Sequence, residues 1–166
     1  KKDFSNGGGS FFFDFEDGLL DGWTTIDADG DGFTWRSTTE IMGPGYGYKG
    51  SKYCVISQSY CVDTIGELSP DNYFITADKY LITEDSKLSY YVCVQDEQSP
   101  AEHYAVLVST ESNTDVTTFE TVWEETMSRS TRNSRGQGAW YKREIDLKKY
   151  VGQEVYIAFC HFNTIG

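Results

Sequence analysis

The feature that most constrains this chain is a succession of short strand-like segments separated by turn residues. Each segment is rich in Tyr, Val, Ile, Thr, Phe or Trp and is bounded by Gly, Pro, Asn, Asp or Ser. About nine such strands are predicted, in residues 11–15, 33–35, 51–57, 73–76, 88–95, 104–109, 120–124, 140–147 and 154–162. One of them alternates strictly, with Tyr141 and Ile145 on one face and Lys142 and Glu144 on the other, which is typical of a half-buried strand.

Helical periodicity occurs in residues 116–127, where Phe119, Val122 and Trp123 recur at helical steps. Several threonines in the same stretch oppose a stable helix, so we predict a single turn that leads into a strand. Without helices to cover a parallel sheet, the strands must pack as two antiparallel sheets. The predicted fold class is therefore all-β, a jelly-roll β-sandwich.

Composition supports one folded domain after a short lead-in. Of the 166 residues, 39% are hydrophobic and 16% aromatic, which excludes a disordered chain. Residues 1–10 are rich in Gly and Ser and are predicted to be a flexible linker, and residues 11–166 to be a single domain. The chain begins without the apolar core of a signal peptide, so we expect it to be a mature piece of a longer protein.

Charge excludes two classes of partner. The net charge of −12 repels phosphate backbones and anionic lipids, so nucleic-acid binding is not expected. No apolar run approaches the roughly 20 residues of a membrane helix, so membrane insertion is not expected either. The same charge favours cations, Ca²⁺ among them.

The four cysteines do not settle the compartment. They do not form a CxxC motif, and the two histidines do not sit at ligand spacing, so a zinc site is not expected. Cys54 and Cys61 flank a turn-length segment and are the most plausible disulfide. Cys93 and Cys160 lie in strand-like segments, where a free cysteine acts as a small buried hydrophobe.

The strongest chemical signal is an acidic loop. Asp27, Asp29 and Asp31 occupy alternate positions before Gly32, which is the D-x-D-x-D-G pattern of a calcium loop. An EF-hand is rejected, because its twelfth position is Thr38 instead of Glu and the flanking segments read as strands. We therefore predict a Ca²⁺ loop between strands, completed by oxygens from elsewhere. The alternative is a solvated Asp-Gly turn.

A second candidate metal position is formed by Glu16 and Asp17, which precede Gly18. An acid after an early strand could meet an acid from a late strand and pin the ends of the sandwich together. The alternative is an ordinary acidic turn.

Candidate ligand-binding residues are aromatic. The loop at residues 42–50 contains four glycines and displays Tyr46 and Tyr48, which is typical of a recognition loop. Trp140 is the third candidate for an exposed aromatic side chain. Exposed Tyr and Trp rings in a β-sandwich can stack on sugar rings, although a tryptophan there is more often part of the core.

A series of segments in order along nearly the whole chain resembles one family. These segments are residues 13–18 with 22–23, 26–32 with Trp35, 55–57, 70–76, 101–109 and 156–162. The chain is similar to the cleaved-adhesin, or choice-of-anchor J, domains of Bacteroidetes surface proteins, which include the haemagglutinin/adhesin modules of gingipains. The resemblance implies a jelly-roll sandwich with structural calcium near Glu16, Asp17, Asp27, Asp29 and Asp31.

The resemblance also implies a secreted or cell-surface location, associated with the outer membrane, and adhesion to host proteins, cells or glycans without catalysis. The chain departs from the family at its end, because a last strand with an acidic pair is expected after residues 161–162 and the chain stops at Gly166. This puts one calcium ligand in doubt. An uncovered sheet edge would permit self-association.

Three functions are weighed. The leading one is a non-catalytic, calcium-stabilised extracellular adhesin, and the first alternative is a carbohydrate-binding module appended to a secreted enzyme. The second alternative, a jelly-roll glycosidase, needs two carboxylates that face one sugar. Glu144 and Asp146 share a strand face, but the third acid typical of such enzymes is replaced by Lys148. We therefore predict no catalysis.

Overall fold

The computed structural model describes residues 11–63, 65–128 and 139–164, and these residues form an antiparallel β fold. The strands are β1 (Trp23–Asp27), β2 (Arg36–Ser37), β3 (Val55–Ile56), β4 (Tyr60–Cys61), β5 (Gly66–Glu67), β6 (Asn72–Thr76), β7 (Tyr80–Leu81), β8 (Lys87–Val92), β9 (His103–Ser109), β10 (Glu120–Thr126), β11 (Tyr141–Asp146) and β12 (Glu154–His161). Single 3₁₀ turns occupy Thr38–Glu40, Tyr48–Gly50, Val116–Thr118 and Lys148–Tyr150. In the described parts of the chain no α-helix occurs, and the predicted turn leading into a strand is confirmed at Val116–Thr118 and β10.

The largest sheet has the strand order β1-β6-β12-β9-β10, and β7 pairs with the beginning of β12. The last described strand, β12, therefore lies in the middle of this sheet, and β1 and β10 form its edges. A separate ribbon joins β8 and β11, and two short pairs join β2 with β3 and β4 with β5. All described pairings are antiparallel.

The main core lies between the large sheet and the β8–β11 ribbon. Alternate residues of β9 and β12 face it, among them Val106, Val108, Val155 and Ile157, each at most 1% exposed. The ribbon contributes Leu88 from β8 and Ile145 from β11. Two layers of strands that bury their facing side chains form a sandwich, so the predicted all-β sandwich of antiparallel sheets is confirmed.

The opposite face of the large sheet carries a smaller cluster formed by the other alternate residues. Ile75, Ala105, Leu107, Ala158 and Cys160 are buried there. The period-2 alternation predicted for residues 141–147 is also confirmed, because the burial of β11 alternates along its length.

Two predicted strands are wrong. Residues 11–15 and 33–35 adopt no strand conformation. The first segment is held by its rings: Phe13 lies 5.3 Å from Trp23, and Phe15 lies 6.0 Å from Phe74, measured between ring centroids. Phe15 has a φ of 58°, a left-handed conformation that interrupts an extended backbone.

The predicted Cys54–Cys61 disulfide is not formed, because Cys54 is a free thiol. The two residues do not face each other across a hairpin, since β3 pairs with β2 and β4 pairs with β5. Burial raises the pKa of the Cys54 thiol to about 11. Cys160 is buried as predicted, and Cys93 is half-buried.

The predicted linker at residues 1–10 lies outside the described residues and stays a prediction. Within the described ranges, no helix is long and apolar enough to cross a membrane.

Candidate functional site

The acidic loop folds around the carboxylate of Asp27, the last residue of β1. Its Oδ1 accepts the N–H of Gly30 at 2.8 Å and its Oδ2 accepts the N–H of Gly32 at 2.9 Å. Both glycines have positive φ, 73° and 86°, which allows the chain to bend back on this side chain. Asp31 closes the loop by accepting the N–H of Phe33 at 2.7 Å.

The loop is also tied to the strand beside it. The N–H of Ala28 donates to the carbonyl of Asp71 at 2.9 Å, and the N–H of Asp71 donates to Oδ1 of Asp29 at 3.4 Å. Asp71 immediately precedes β6, which pairs with β1. The position of the loop is therefore fixed by the large sheet.

Asp27, Asp29 and Asp31 form a compact carboxylate cluster, each with one oxygen within 4.8 Å of the others. Loss of hydration raises the pKa of Asp29, and its hydrogen bond with Asp27 adds to this. For Asp27, the loss of hydration opposes ionisation, but hydrogen bonds from Gly32 and Gly30 prevail and lower its pKa. The ionised carboxylates of the cluster therefore repel one another at close range, and a bound cation would reduce this repulsion.

The donor set fits calcium. Carboxylate oxygens are hard ligands, and Ca²⁺ takes six to eight oxygens from carboxylates, carbonyls and water. The amide hydrogen bonds to Asp27 use one lone pair on each oxygen and leave another for a metal. The structure thus brings together Asp27, Asp29 and Asp31, the three residues selected from the sequence. Whether they bind Ca²⁺ stays a prediction.

Glu16 and Asp17 lie outside this cluster. The Glu16 carboxylate accepts the backbone N–H of Lys52 at 2.9 Å and that of Tyr53 at 3.5 Å, and so ties the N-terminal segment to residues 52–53. Asp17 accepts the N–H of Leu19 at 2.9 Å. Among the described residues, no third acidic, His or Cys ligand joins this pair in a metal cluster.

A second surface is aromatic and covers the outer face of the β8–β11 ribbon. The rings of Tyr48 and Tyr91 stack with centroids 3.7 Å apart and planes inclined by 19°. Trp140 meets Tyr48 edge to face at 6.3 Å. The structure therefore brings two of the three predicted aromatic residues, Tyr48 and Trp140, together and adds Tyr91, which was not predicted.

Tyr91 escaped prediction because it lies inside a strand and not in the glycine-rich loop. Its direction could have been inferred from alternation, since Tyr90 packs against the main core and Tyr91, the next residue, is exposed. Its cross-strand partner is Lys142, which faces solvent in the same way. What the sequence alone does not show is that Tyr48 folds over this strand.

The loop that carries Tyr48 is tightly turned. Gly45 and Gly47 donate their N–H groups to the carbonyls of Lys52 and Ser51, at 2.7 and 3.1 Å. The carbonyl of Tyr46 accepts the thiol of Cys54 at 3.6 Å. Hydrogen bonds of the backbone thus fix the shape of this loop. Tyr48 lies on the ribbon, where its ring contacts Tyr91.

Two lysines flank the aromatic surface. The Nζ of Lys49 lies 5.3 Å from the centroid of Tyr48, and Lys142 forms a 3.3 Å ion pair with Glu144. The neighbouring Tyr91 hydroxyl and, after it, the Lys49 ammonium lower the pKa of Tyr48. The same interaction with Tyr48 raises the pKa of Tyr91.

A buried polar network lies beside the acidic loop, since its member Asn72 is the cross-strand partner of Asp27. Nδ1 of His161 is 2.7 Å from Oγ of Ser57, and Nε2 is 2.7 Å from Oε2 of Glu102. Ser59 also donates to Glu102, and Nδ2 of Asn72 donates to Ser57 at 3.3 Å. Oδ1 of Asn72 is buried and has no hydrogen-bond partner within the described chain.

The two carboxylates weighed for glycoside hydrolysis have other partners. Glu144 is paired with Lys142, and Oδ1 of Asp146 accepts the N–H of Lys148 at 2.8 Å. Both side chains lie on the exposed face of β11.

The sequence of this chain is similar to those of known proteins. The family model of the Cleaved Adhesin Domain matches residues 11–166. Lys-gingipain W83 of Porphyromonas gingivalis is 39% identical over 156 residues, which are 90% of this chain and 9% of that protein. Hemagglutinin A of the same species is 36% identical over 157 residues, 90% of this chain and 6% of that protein. The chain thus spans less than a tenth of these relatives.

Solved structures match as well. The K1 cleaved adhesin domain of Lys-gingipain from P. gingivalis W83 superposes with a TM-score of 0.75 at 38% identity, covering 92% of this chain and 87% of that domain. The K3 cleaved adhesin domain of the same protein gives a TM-score of 0.71 at 38% identity, covering 90% of this chain and 85% of that domain.

Proposed function

Because this chain belongs to the cleaved adhesin domain family, we propose that it is a non-catalytic, calcium-stabilised extracellular domain that binds host proteins, cells or glycans. The observation that carries the proposal is the family match over residues 11–166. One relative is named a hemagglutinin, which associates a protein containing this kind of domain with binding to red cells. We place the parent protein outside the cell or on its surface.

The absence of catalysis is part of the proposal. The carboxylates of Glu144 and Asp146 are engaged by Lys142 and by the N–H of Lys148. The relatives named as gingipains are far longer than this chain, which leaves room for proteolysis in other parts of them.

Calcium has a structural role in this proposal. Asp27, Asp29 and Asp31 would hold the ion, which would supply positive charge to neutralise their mutual repulsion. Asp27 ends β1, an edge strand of the large sheet, and Asp29 contacts the segment before β6. A bound ion would therefore stabilise one corner of the sandwich.

The aromatic surface favours a glycan as one class of ligand. Stacked Tyr48 and Tyr91 present ring area on the outer face of the β8–β11 ribbon, and sugar rings pack on such aromatic faces through their apolar C–H groups. This observation also supports the second candidate function, a carbohydrate-binding module of a secreted enzyme.

Adhesion to cells tests the proposal directly. Beads coated with the chain are mixed with human erythrocytes and epithelial cells, and adherent beads are counted against albumin-coated beads. We expect adherence to at least one cell type. Beads that adhere no better than albumin to either cell type would overturn the proposal.

Pretreatment of the cells separates the ligand classes. Periodate destroys glycan rings and trypsin removes surface proteins. Adherence that survives trypsin and is lost after periodate indicates a glycan ligand, and the opposite result indicates a protein ligand. If the aromatic surface binds the ligand, Tyr48→Ala should reduce adherence. Tyr60→Ala, which removes an exposed tyrosine on β4, is the matched control and should leave adherence unchanged.

A further inference from the structure

The aromatic surface contains more chemistry than a sugar platform requires, and this inference rests on the proposed glycan binding. Three groups lie together on the outer face of the ribbon: the exposed ring of Tyr91, the Tyr48 ring stacked on it, and the Lys49 ammonium beside Tyr48. They come from separate parts of the chain, a strand and a loop. Their convergence defines a small site with one aromatic and one cationic side.

Lys49 is the group that distinguishes this site from a neutral platform. It is exposed, and in the part of the chain that the structure describes no carboxylate lies within 4.0 Å of its Nζ. It also has left-handed backbone angles, φ 44° and ψ 47°, which a residue with a side chain adopts at a cost. The turn thus places next to the stacked rings an exposed ammonium that has no ion-pair partner among the described residues.

A second cation stands at the same face. Lys142 is the cross-strand partner of Tyr91, and its side chain is about half exposed. It shares its charge with Glu144 at 3.3 Å, so it is a weaker attractor than Lys49. The whole chain carries a net charge of −12. An anion is therefore attracted only where such local cations outweigh the surrounding acids.

The Tyr48 hydroxyl completes the arrangement. The Tyr91 ring stacks on Tyr48 and the Lys49 ammonium lies beside it, and both neighbours lower the pKa of the Tyr48 phenol. A phenol with a lowered pKa is a stronger hydrogen-bond donor, and a carboxylate is the strongest common acceptor for it.

We propose that Tyr48, Lys49 and Tyr91 form a subsite for a sugar ring that carries a carboxylate, such as a uronic or sialic acid. The apolar face of the ring packs on the exposed face of Tyr91. The carboxylate lies toward the Lys49 ammonium and accepts the Tyr48 hydroxyl, with Lys142 at the margin of the site. A neutral sugar makes the stacking contact and lacks the charged one.

Matched pairs of probes test this selectivity. The chain is titrated with 3′-sialyllactose against lactose, and with a hyaluronan tetrasaccharide against chitotetraose, and Kd values are taken from NMR shift changes. The first pair differs by a sialic acid and the second introduces uronic acids, so the two arms separate these sources of carboxylate. We expect at least one acidic sugar to bind about three- to tenfold more tightly than its neutral partner, the range for one partly exposed charged contact.

Variants assign the effect to residues. Lys49→Gln should bring the affinity for the acidic sugar down to that for the neutral one, and Tyr91→Ala should abolish binding of both. The controls are Lys87→Gln, an exposed lysine at the far end of β8, and Tyr60→Ala. Thermal melts of all variants establish that they remain folded.

The other outcomes are distinguishable. Equal affinity for acidic and neutral sugars, lost in Tyr91→Ala, would overturn the charge selectivity and leave the proposed glycan binding intact. No binding of any of the four sugars, or binding unchanged in Lys49→Gln and Tyr91→Ala, would overturn the subsite. Adherence of coated beads to trypsin-treated or untreated cells tests the proposed function separately.

Discussion

Gly47 shows how a single residue shapes the aromatic surface. A Cβ built at this position lies 2.4 Å from the Cβ of Ser51 and 2.8 Å from its carbonyl oxygen, although the φ of −80° suits any residue. Glycine is therefore required here for close approach of two backbone segments and not for an unusual backbone angle.

Replacement of Gly47 by Ala should lower the free energy of unfolding by about 1–3 kcal/mol, the usual cost of overpacking. Gly43→Ala is the matched control in the same loop: a Cβ there meets nothing within 4 Å, and the variant pays only for its φ of 76°. Urea denaturation of both variants measures the difference. A free energy of unfolding for Gly47→Ala within about 0.5 kcal/mol of that of the original chain would contradict the close approach of Gly47 to Ser51.

The polar network around His161 could not be predicted from the sequence. Ser57 lies 104 positions from His161, and Glu102 lies 59 positions from it. Local patterns cover a few residues, and only tertiary folding brings these three together. The three aspartates of the acidic loop could be selected from the sequence for the opposite reason, because they lie within five consecutive positions, and the structure places their carboxylates close together.

Glu102 gives this network a pH dependence. Burial opposes its ionisation, but hydrogen bonds from His161 and Ser59 prevail and lower its pKa below the ordinary value of 4.5. A carboxylate with a depressed pKa in the folded state stabilises the protein above its ordinary pKa, and this contribution is lost as the pH falls through the depressed value.

We therefore expect Glu102→Gln to be less stable than the original chain by about 1–3 kcal/mol at pH 7, the cost of removing a charged hydrogen-bond partner. The difference in the free energy of unfolding between the original chain and Glu102→Gln, here called the gap, should narrow as the pH is lowered below 4.5. Denaturation curves from pH 7 to pH 3.5 measure it, with the exposed Glu67→Gln as control. A gap that stays constant over this range would count against the ionised Glu102.

At the scale of elements, alternation of apolar and polar residues predicted most strands correctly, whereas a segment rich in phenylalanine was wrongly predicted to be a strand. The strands β6, β8, β9, β10, β11 and β12 agree with their predicted segments to within a few residues. Residues 11–15 were misassigned because their phenylalanines suit a strand by composition, whereas Phe13 and Phe15 pack by ring contacts on Trp23 and Phe74. Because consecutive rings are used for packing, the segment lacks the alternation of apolar and polar residues that identifies a half-buried strand.

The edge strand β10 bears on self-association. Its pairing with β9 has a bulge between Thr121 and Trp123, and its Glu124 side chain is 56% exposed. Bulges and edge charges both hinder pairing with another chain. Self-association through this edge is therefore expected to be weak.

Glu124→Thr should strengthen that association, because it removes a charge from the edge and adds a residue that favours strands. Sedimentation velocity over a concentration series should show a larger dimer fraction than for the original chain. Glu84→Thr, at an exposed position outside the strands, is the control. Identical sedimentation of Glu124→Thr and the control would show that β10 is not the associating edge.

At the scale of the whole molecule, the class of fold could be predicted from the sequence. Surfaces to which several elements contribute could not be predicted in this way. Short alternating strands without helices can bury their apolar faces only against each other, which predicts a sandwich. The aromatic surface needs β8, β11 and the loop at Tyr48 to meet, which depends on the order of strands in space. For this reason Tyr48 and Trp140 were predicted individually, and Tyr91 was not.

The central claim is that a cation held by Asp27, Asp29 and Asp31 stabilises the sandwich, and thermal unfolding with and without Ca²⁺ tests it most directly. With Ca²⁺ at about 100 times its Kd, the folded state gains ~2.7 kcal/mol, which raises the Tm by roughly 5–10 °C for a domain of this size. Asp29→Asn should lose most of this shift, and Asp63→Asn, an acid in the turn after β4, should retain it. A Tm that is the same in millimolar Ca²⁺ and in excess chelator would contradict the claim.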